Sequence, residues 1–506
     1  FGLVRSRVMA RYLGTSDEAD AFWSALRIPN LLQNLFGEGV LSASFIPVYA
    51  RLRAQRDEAE ARRVAGAVLG VLTAVVAALV ALGVLATPLA VDTIAAGFEG
   101  PKRDLTVRLV RILFPGTGLL VLGAWCLGVL NSHGKFFLSY AAPIVWNLAI
   151  VGALVVGGTR GLPLGDLVES VAWWTVIGSA LTFAVQLPTT IGLLRGLPFS
   201  FDTGSPHVRE VVRSFGPAFV SRGAVQLSAY VDLNFASRLG SGAQALLSYG
   251  QTIYLLPVAL FGMSISAAEL PAMSGTLGSD AEVRAALTAR VTSRLRTIAF
   301  LVVPSAAAFL ALGDVVAGTL LQTGEFGRAE SVRVWAILAA SAVGLLASTL
   351  ARLYASTFYA LKDTRTPLRV ALVRITLSVV LGWTLAFPLP RALGLPREWG
   401  VIGLTLGSAV AGCVEYTLLR RRVRARVGPA EVPAALLARL WAAGGAAAAL
   451  AWGVRVALPA VHPVVLGVVV LGTFALGYGG ATLALGVPEA RTTLARVRAR
   501  IPGASR

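Results

Sequence analysis

DAFWSALRIPNLLQNLFGEGVLSASFIPVYAR, residues 20–51, is the stretch on which the fold turns. It is long and apolar enough to cross a bilayer, for which a helix needs about 20 residues. Yet it carries Asp20, Arg27, Asn30, Gln33, Asn34 and Glu38. An ionised side chain at the bilayer centre costs about 2.5–3.5 kcal/mol even on a lenient insertion scale. A helix surrounded by lipid should shed such residues. One that keeps several is expected to line a polar, water-accessible cavity inside a helical bundle. Pro29, Pro47 and the pair Gly37/Gly39 punctuate the segment, which reads as one span over 20–50.

Working outward, the chain has 506 residues, 56% hydrophobic and only 14% charged, with mean hydropathy +0.72. Soluble chains carry about 25% charged residues, so the composition indicates an all-α polytopic membrane protein. The net charge of +19 could suggest nucleic acid as a partner. It is almost entirely arginine in short loops between apolar segments, which is a signature of membrane topology instead. Cys126 and Cys413 lie in apolar runs, and His133, His207 and His462 are scattered, so neither metal nor redox spacing is present. Nucleophile–base arrangements and Walker loops are also missing from the sequence, which argues against an enzyme and against ATP as a driver.

Apolar segments of spanning length fall near 20–50, 64–96, 105–131, 136–158, 165–195, 208–238, 243–275, 291–322, 331–361, 366–388, 400–419, 436–459 and 463–487. The chain begins at Phe1, and FGLVRSRVMARYLG is too short to span alone, so it reads as the remainder of a first span. About fourteen spans result. Alternate loops hold about 27 basic residues on one side and about eight on the other. The positive-inside rule therefore places the richer set, and both termini, in the cytoplasm.

The chain also repeats. Gly14 in RYLGTS and Gly240 in RLGSG are 226 residues apart, Phe36-Gly37 and Phe261-Gly262 are 225 apart, and both GFE/GEF (97 and 324) and Lys135/Lys362 are 227 apart. An offset covering six spans predicts two lobes of like orientation, residues 1–200 and 201–425, with spans 13 and 14 in 426–506. Parallel repeats of this kind frame a transport site at their interface in several folds. A central cavity lined by Arg5, Gln33, Asn34 and Arg222, between spans 1, 2, 7 and 8, is the expectation.

Four segments, ARYLG…DEADAFWSALRIPNLLQNLFGEGVLSASFIPVYARL (10–52), LFPGTGLLVLGAWCLGVLNSHGKFFLSYAAPIVWNLAIVG (113–152), SFGPAFVSRGAVQLSAYVDLNFASRLGSGA (214–243) and FYALKDTRTPLRVAL (358–372), carry a family resemblance. They resemble the MurJ (MviN) lipid II flippase family of the multidrug/oligosaccharidyl-lipid/polysaccharide exporter superfamily. The resemblance implies an inner-membrane transporter alternating between inward- and outward-open states, without a cofactor. Its implied cargo is a polyprenyl-pyrophosphate-linked glycan, the peptidoglycan precursor, and its implied surroundings are membrane lipids and cell-wall synthesis proteins.

On that resemblance Arg5 takes the place of a cavity arginine in the first span, and Asp20 and Glu38 match acidic positions around the second. Gln33 and Thr252 stand where relatives carry further cavity arginines, and Ser6 replaces an acid. Arg222 and Arg374 are the candidate compensations in the second lobe. Asp232 falls where some members place a sodium ligand. Glu269 is positioned to pair with Arg222 or to carry protons, so sodium or proton coupling stays open beside membrane potential. The alternatives are a flippase for another polyprenyl-linked glycan, a cation-coupled drug exporter, and a non-transporting scaffold of envelope assembly.

Overall fold

The computed structural model describes residues 1–196, 199–274, 279–458 and 461–500. Regular structure among them is helical, apart from one isolated bridge between Thr323 and Phe326. Eleven of the described helices or continuous helical segments are long and apolar enough to cross a membrane. The chain is a multi-pass membrane protein. Packing divides it into two units, Phe1–Ala245 and Leu246–Arg506.

The first unit holds α1 (Gly2–Leu13), α2 (Asp17–Phe36), α3 (Glu38–Ala54), α4 (Glu58–Leu85), α5 (Thr87–Ile94), α6 (Gly100–Ser132), α7 (Phe136–Thr159), α8 (Leu164–Leu193) and α9 (Pro206–Ser237). α2 starts cleanly because Ser16 Oγ accepts the Ala19 N–H at 3.1 Å, and Asp17, Glu18 and Asp20 occupy its positive first turn. Pro29 sits inside α2 without ending it. The helix ends at Gly37 instead, in an extended conformation. A Cβ at that position would lie 2.3 Å from the Gln33 carbonyl oxygen. The single span expected over 20–50 is therefore two helices, with Gln33 and Asn34 in the last turn before the break. Similarly, the span expected over 64–96 is α4 followed by the short α5.

The core of this unit is packed by Phe45, Tyr49 and Leu52 of α3, Val64 and Val68 of α4, and Val121, Trp125 and Val129 of α6. The indole N–H of Trp125 donates to the Ala65 carbonyl at 3.1 Å, so the largest side chain of the core leaves no unpaired donor. Connecting segments meet at two ends. At one, Gly97 N–H donates to Ser237 Oγ at 3.0 Å, and Lys102 bridges Asp17 and Asp20. At the other, Arg53 donates to the Ser132 carbonyl and Tyr49 Oη lies 3.0 Å from His133 Nε2. Burial, with the Arg53 charge second, holds that imidazole below its ordinary pKa.

The connection from α8 to α9 lies flat along α4. Ser200 N–H donates to the Gly66 carbonyl at 3.3 Å, Arg63 pairs with Asp202 at 2.5 Å, and Ser205 Oγ donates to Glu60. Only glycine fits at 70, because a Cβ would fall 2.0 Å from the Ser200 carbonyl oxygen.

The second unit contains most of α10 (Ala243–Pro257), then α11 (Ser264–Ser274), α12 (Asp280–Leu321), α13 (Arg328–Ala360), α14 (Arg365–Ala386), α15 (Pro388–Ala392), α16 (Gly400–Arg426), α17 (Ala434–Ala457), α18 (Pro463–Ala484) and α19 (Pro488–Arg500). A π-helical turn, Val258–Met263, joins α10 to α11 directly after Pro257. Pro257 lacks an N–H to continue the ladder, and a widened turn accommodates the loss. α12 begins with a Ser279–Glu282 capping box and bends at Leu312, whose φ/ψ of −129° and 18° is not helical. α13 packs between α12 and α16, and the α17–α18 pair lies along α12. α6 and α13 are both 33 residues long, consistent with equivalent places in a repeat. α1, the α2–α3 pair, α5 and α9 are the described helices of the first unit outside the eleven, being too short or too polar.

Candidate functional site

In the first unit the polar residues of α1 and α2 do not neutralise one another. Arg5 lies over the Trp146 ring of α7 at 5.0 Å and the Trp23 ring of α2 at 6.0 Å. Its Nε is buried without a hydrogen-bond partner, and no carboxylate of the described residues pairs with it. A desolvated cation over an indole gains about 2 kcal/mol, which holds the guanidinium in place without cancelling its charge. On the same three helices, Ser6 Oγ, Ser24 Oγ, Trp146 Nε1 and Asn147 Oδ1 are also buried without a hydrogen-bond partner. Buried polar groups are normally satisfied, so α1, α2 and α7 carry polar capacity that their own packing does not use.

Gln33 and Asn34 are half-buried in the last turn of α2, just before the Gly37 break. Phe36 follows them and packs on Phe215 and Phe219 of α9, with ring centroids 5.5 and 5.4 Å away. The side chains of Glu38 and Arg222 lie outside the described residues.

Asp20 behaves differently. It is fully buried, pairs with Lys102 at 2.6 Å, and accepts the backbone N–H groups of Gly242 and Ala245, both at 2.8 Å. All this capacity is spent in fastening α2 to α6 and to the segment after α9. Asp232 of α9 lies within electrostatic reach of Arg27, whose carbonyl accepts the Tyr230 hydroxyl at 3.0 Å. A guanidinium beside Asp232 supplies the charge that a sodium ion would otherwise bring.

The candidates of the second unit are engaged within it. The Thr252 hydroxyl donates to the Ser248 carbonyl of its own helix at 2.9 Å. Arg374 of α14 pairs with Glu415 of α16 at 3.4 Å. Glu269, expected to meet Arg222 or to shuttle protons, is clamped by Arg290 and Arg294 of α12 at 2.5 and 2.6 Å. Two residues of evident weight were not singled out from the sequence, Trp146 and Lys102. The available signals were the single tryptophan of an apolar span and a lysine in the first turn of a helix.

A family model described as lipid II flippase MurJ matches residues 9–480. The chain is 31% identical to the lipid II flippase MurJ of Burkholderia cenocepacia over 84% of its own length and 81% of that protein's. It is 32% identical to the probable lipid II flippase MurJ of Rhizobium tropici over 80% and 75% respectively. Among solved structures, a lipid II flippase MurJ in an inward closed conformation superposes with a TM-score of 0.78, at 21% identity and 96% coverage of both chains. An inward-facing multidrug resistance MATE transporter of the MOP superfamily gives 0.62, at 18% identity, covering 83% of this chain and 98% of its own. These structural likenesses concern the fold.

Proposed function

The chain belongs to the MurJ family, and from that premise we propose that it translocates lipid II, the undecaprenyl-pyrophosphate-linked disaccharide-peptide, across the bacterial cytoplasmic membrane by alternating access. The observation that carries this reading is Arg5, a cation held by two tryptophans and left without a carboxylate. A pyrophosphate needs a group that stays charged when water is removed and that offers forked donors, which a guanidinium does. The Trp146 ring lies against Arg5 and its N–H is buried and unsatisfied, which suits a sugar hydroxyl.

In this reading the two six-span repeats are residues 1–200 and 201–425, spans 13 and 14 stand outside them, and fourteen spans leave both termini and the basic loops in the cytoplasm. Asp232 is assigned to Arg27 rather than to sodium, which leaves membrane potential or protons as the driver.

The experiment is complementation of a flippase-depleted strain by full-length variants at matched membrane levels. Arg5→Ala should fail to support growth, since a charge-assisted bond of about 1.5–3 kcal/mol is lost and an anion is left unpaired. Arg5→Lys should restore part of it, keeping the charge without the fork. Growth of the Arg5→Ala strain equal to wild type would overturn the pyrophosphate reading in favour of a drug exporter.

A further inference from the structure

At one end of the second unit, the close of α12 and α17 and the start of α13 and α18 enclose a cavity of about 370 Å³. Its charged wall is uneven. Arg455 and Asp314 face each other fork to fork, with Nη1–Oδ1 at 3.0 Å and Nη2–Oδ2 at 2.5 Å. That pair cancels. Arg328, at the start of α13, lines the same cavity, and no carboxylate among the described residues pairs with it. The Gln322 side chain lines it as well. The lining therefore carries one positive charge in excess, beside an amide able to donate.

The rest of the wall sets Thr319 and Ser331 among apolar side chains, Val332, Leu458 and Leu466 included. Depth is set by the helices themselves: α12 stops at Leu321 and α18 starts at Pro463, so the cavity sits at the ends of apolar spans, where the hydrocarbon core gives way to headgroups. α18 exposes Val465 and Val468 beyond it. Its approach to α12 is close enough that a Cβ at Gly467 would lie 1.8 Å from Thr319 Oγ1, so α18 packs directly on a side chain of the cavity wall. The volume falls in the range of small-molecule sites, about 300–1,000 Å³.

We infer that this cavity binds the phosphate of an anionic membrane lipid, with Arg328 and Gln322 on the phosphate and the glycerol and acyl ends along the apolar wall. Guanidinium forks match phosphate oxygens, and basic pockets between spans recognise lipid headgroups. A free phosphate would share the first contact and leave the apolar wall uncovered.

The test uses the full chain in detergent, titrated with phosphatidylglycerol, phosphatidylcholine or glycerol 3-phosphate, with bound ligand counted by native mass spectrometry. Phosphatidylglycerol should be retained over phosphatidylcholine. Arg328→Ala should weaken it about tenfold, the loss of one charge-assisted bond. Arg328 is exposed at a helix start, so this variant should melt like wild type without lipid. Val332→Trp, which fills the cavity without touching its charge, should weaken phosphatidylglycerol too. Equal retention of the two lipids, or indifference to both substitutions, would overturn the inference. Glycerol 3-phosphate bound as tightly as phosphatidylglycerol would overturn the lipid assignment.

Discussion

Glu269 with Arg290 and Arg294, Asp314 with Arg455, Glu415 with Arg374 and Glu489 with Arg296 are four carboxylates of the second unit, each closed by arginine within that unit. In the first unit Arg5 meets two indoles and no carboxylate among the described residues, while the buried acid of α2, Asp20, is spent on Lys102 and two backbone amides. A closed pair has already recovered part of its desolvation cost, and an incoming anion would have to break it. An open guanidinium has not, and gains from any anion that reaches it. The paired charges of the second unit therefore hold helices together, with Arg328 left open at an exposed helix start, whereas Arg5 in the first unit is an open charge that is buried between helices.

The contrast breaks or sharpens on melting temperatures of purified variants. Asp314→Ala should give the largest loss, about 3–5 kcal/mol, since it strands Arg455 in a partly buried site. Lys102→Met should follow. It leaves Asp20 buried, but the Gly242 and Ala245 amides remain to hold the carboxylate, so its loss should be smaller than that of Asp314→Ala. Gly37→Ala should cost about 1–3 kcal/mol, the range for forcing atoms into filled space, because the Gln33 carbonyl must move. Arg5→Ala should change stability by no more than about 2 kcal/mol, the cation–π contribution, while abolishing complementation. If it melts as far below wild type as Asp314→Ala, the two units treat charge alike and the comparison fails. The smallest effect belongs to Thr252→Val, within about 0.5 kcal/mol, since that hydroxyl serves only its own helix.

Much of the helical layout was legible because spanning windows are a bulk property of composition. The basic loops divide into two groups for the same reason. What could not be read was pairing across long separations. Asp20 and Lys102 are 82 residues apart, and nothing local to either says that they meet. Glu269 illustrates the same limit at shorter range: an acid in an apolar segment signals function or a clamp equally well until Arg290 is placed beside it. Pro29, Pro47 and the Gly37/Gly39 pair were all visible in the sequence, and nothing local ranked them as breakers. The structure runs α2 through Pro29 and ends it at Gly37, since helix ends are decided by whether the backbone can leave its ladder, and a proline within a span can be tolerated. Trp146 was missed because an indole in an apolar span is ordinarily packing.

The segment that runs from α8 back along α4 also bears on biosynthesis. Arg63 and Asp202 are 139 residues apart, and Glu60 and Ser205 are 145 apart. A growing chain emerges from its N-terminus, so α4 is made with Glu60, Arg63 and the Gly66–Gly70 face still waiting for their partners. Four further helices, α5 to α8, must be delivered before residue 200 arrives to cover them. Covering of this face of α4 thus waits for the connection to be made, and a stall before residue 200 would leave it open.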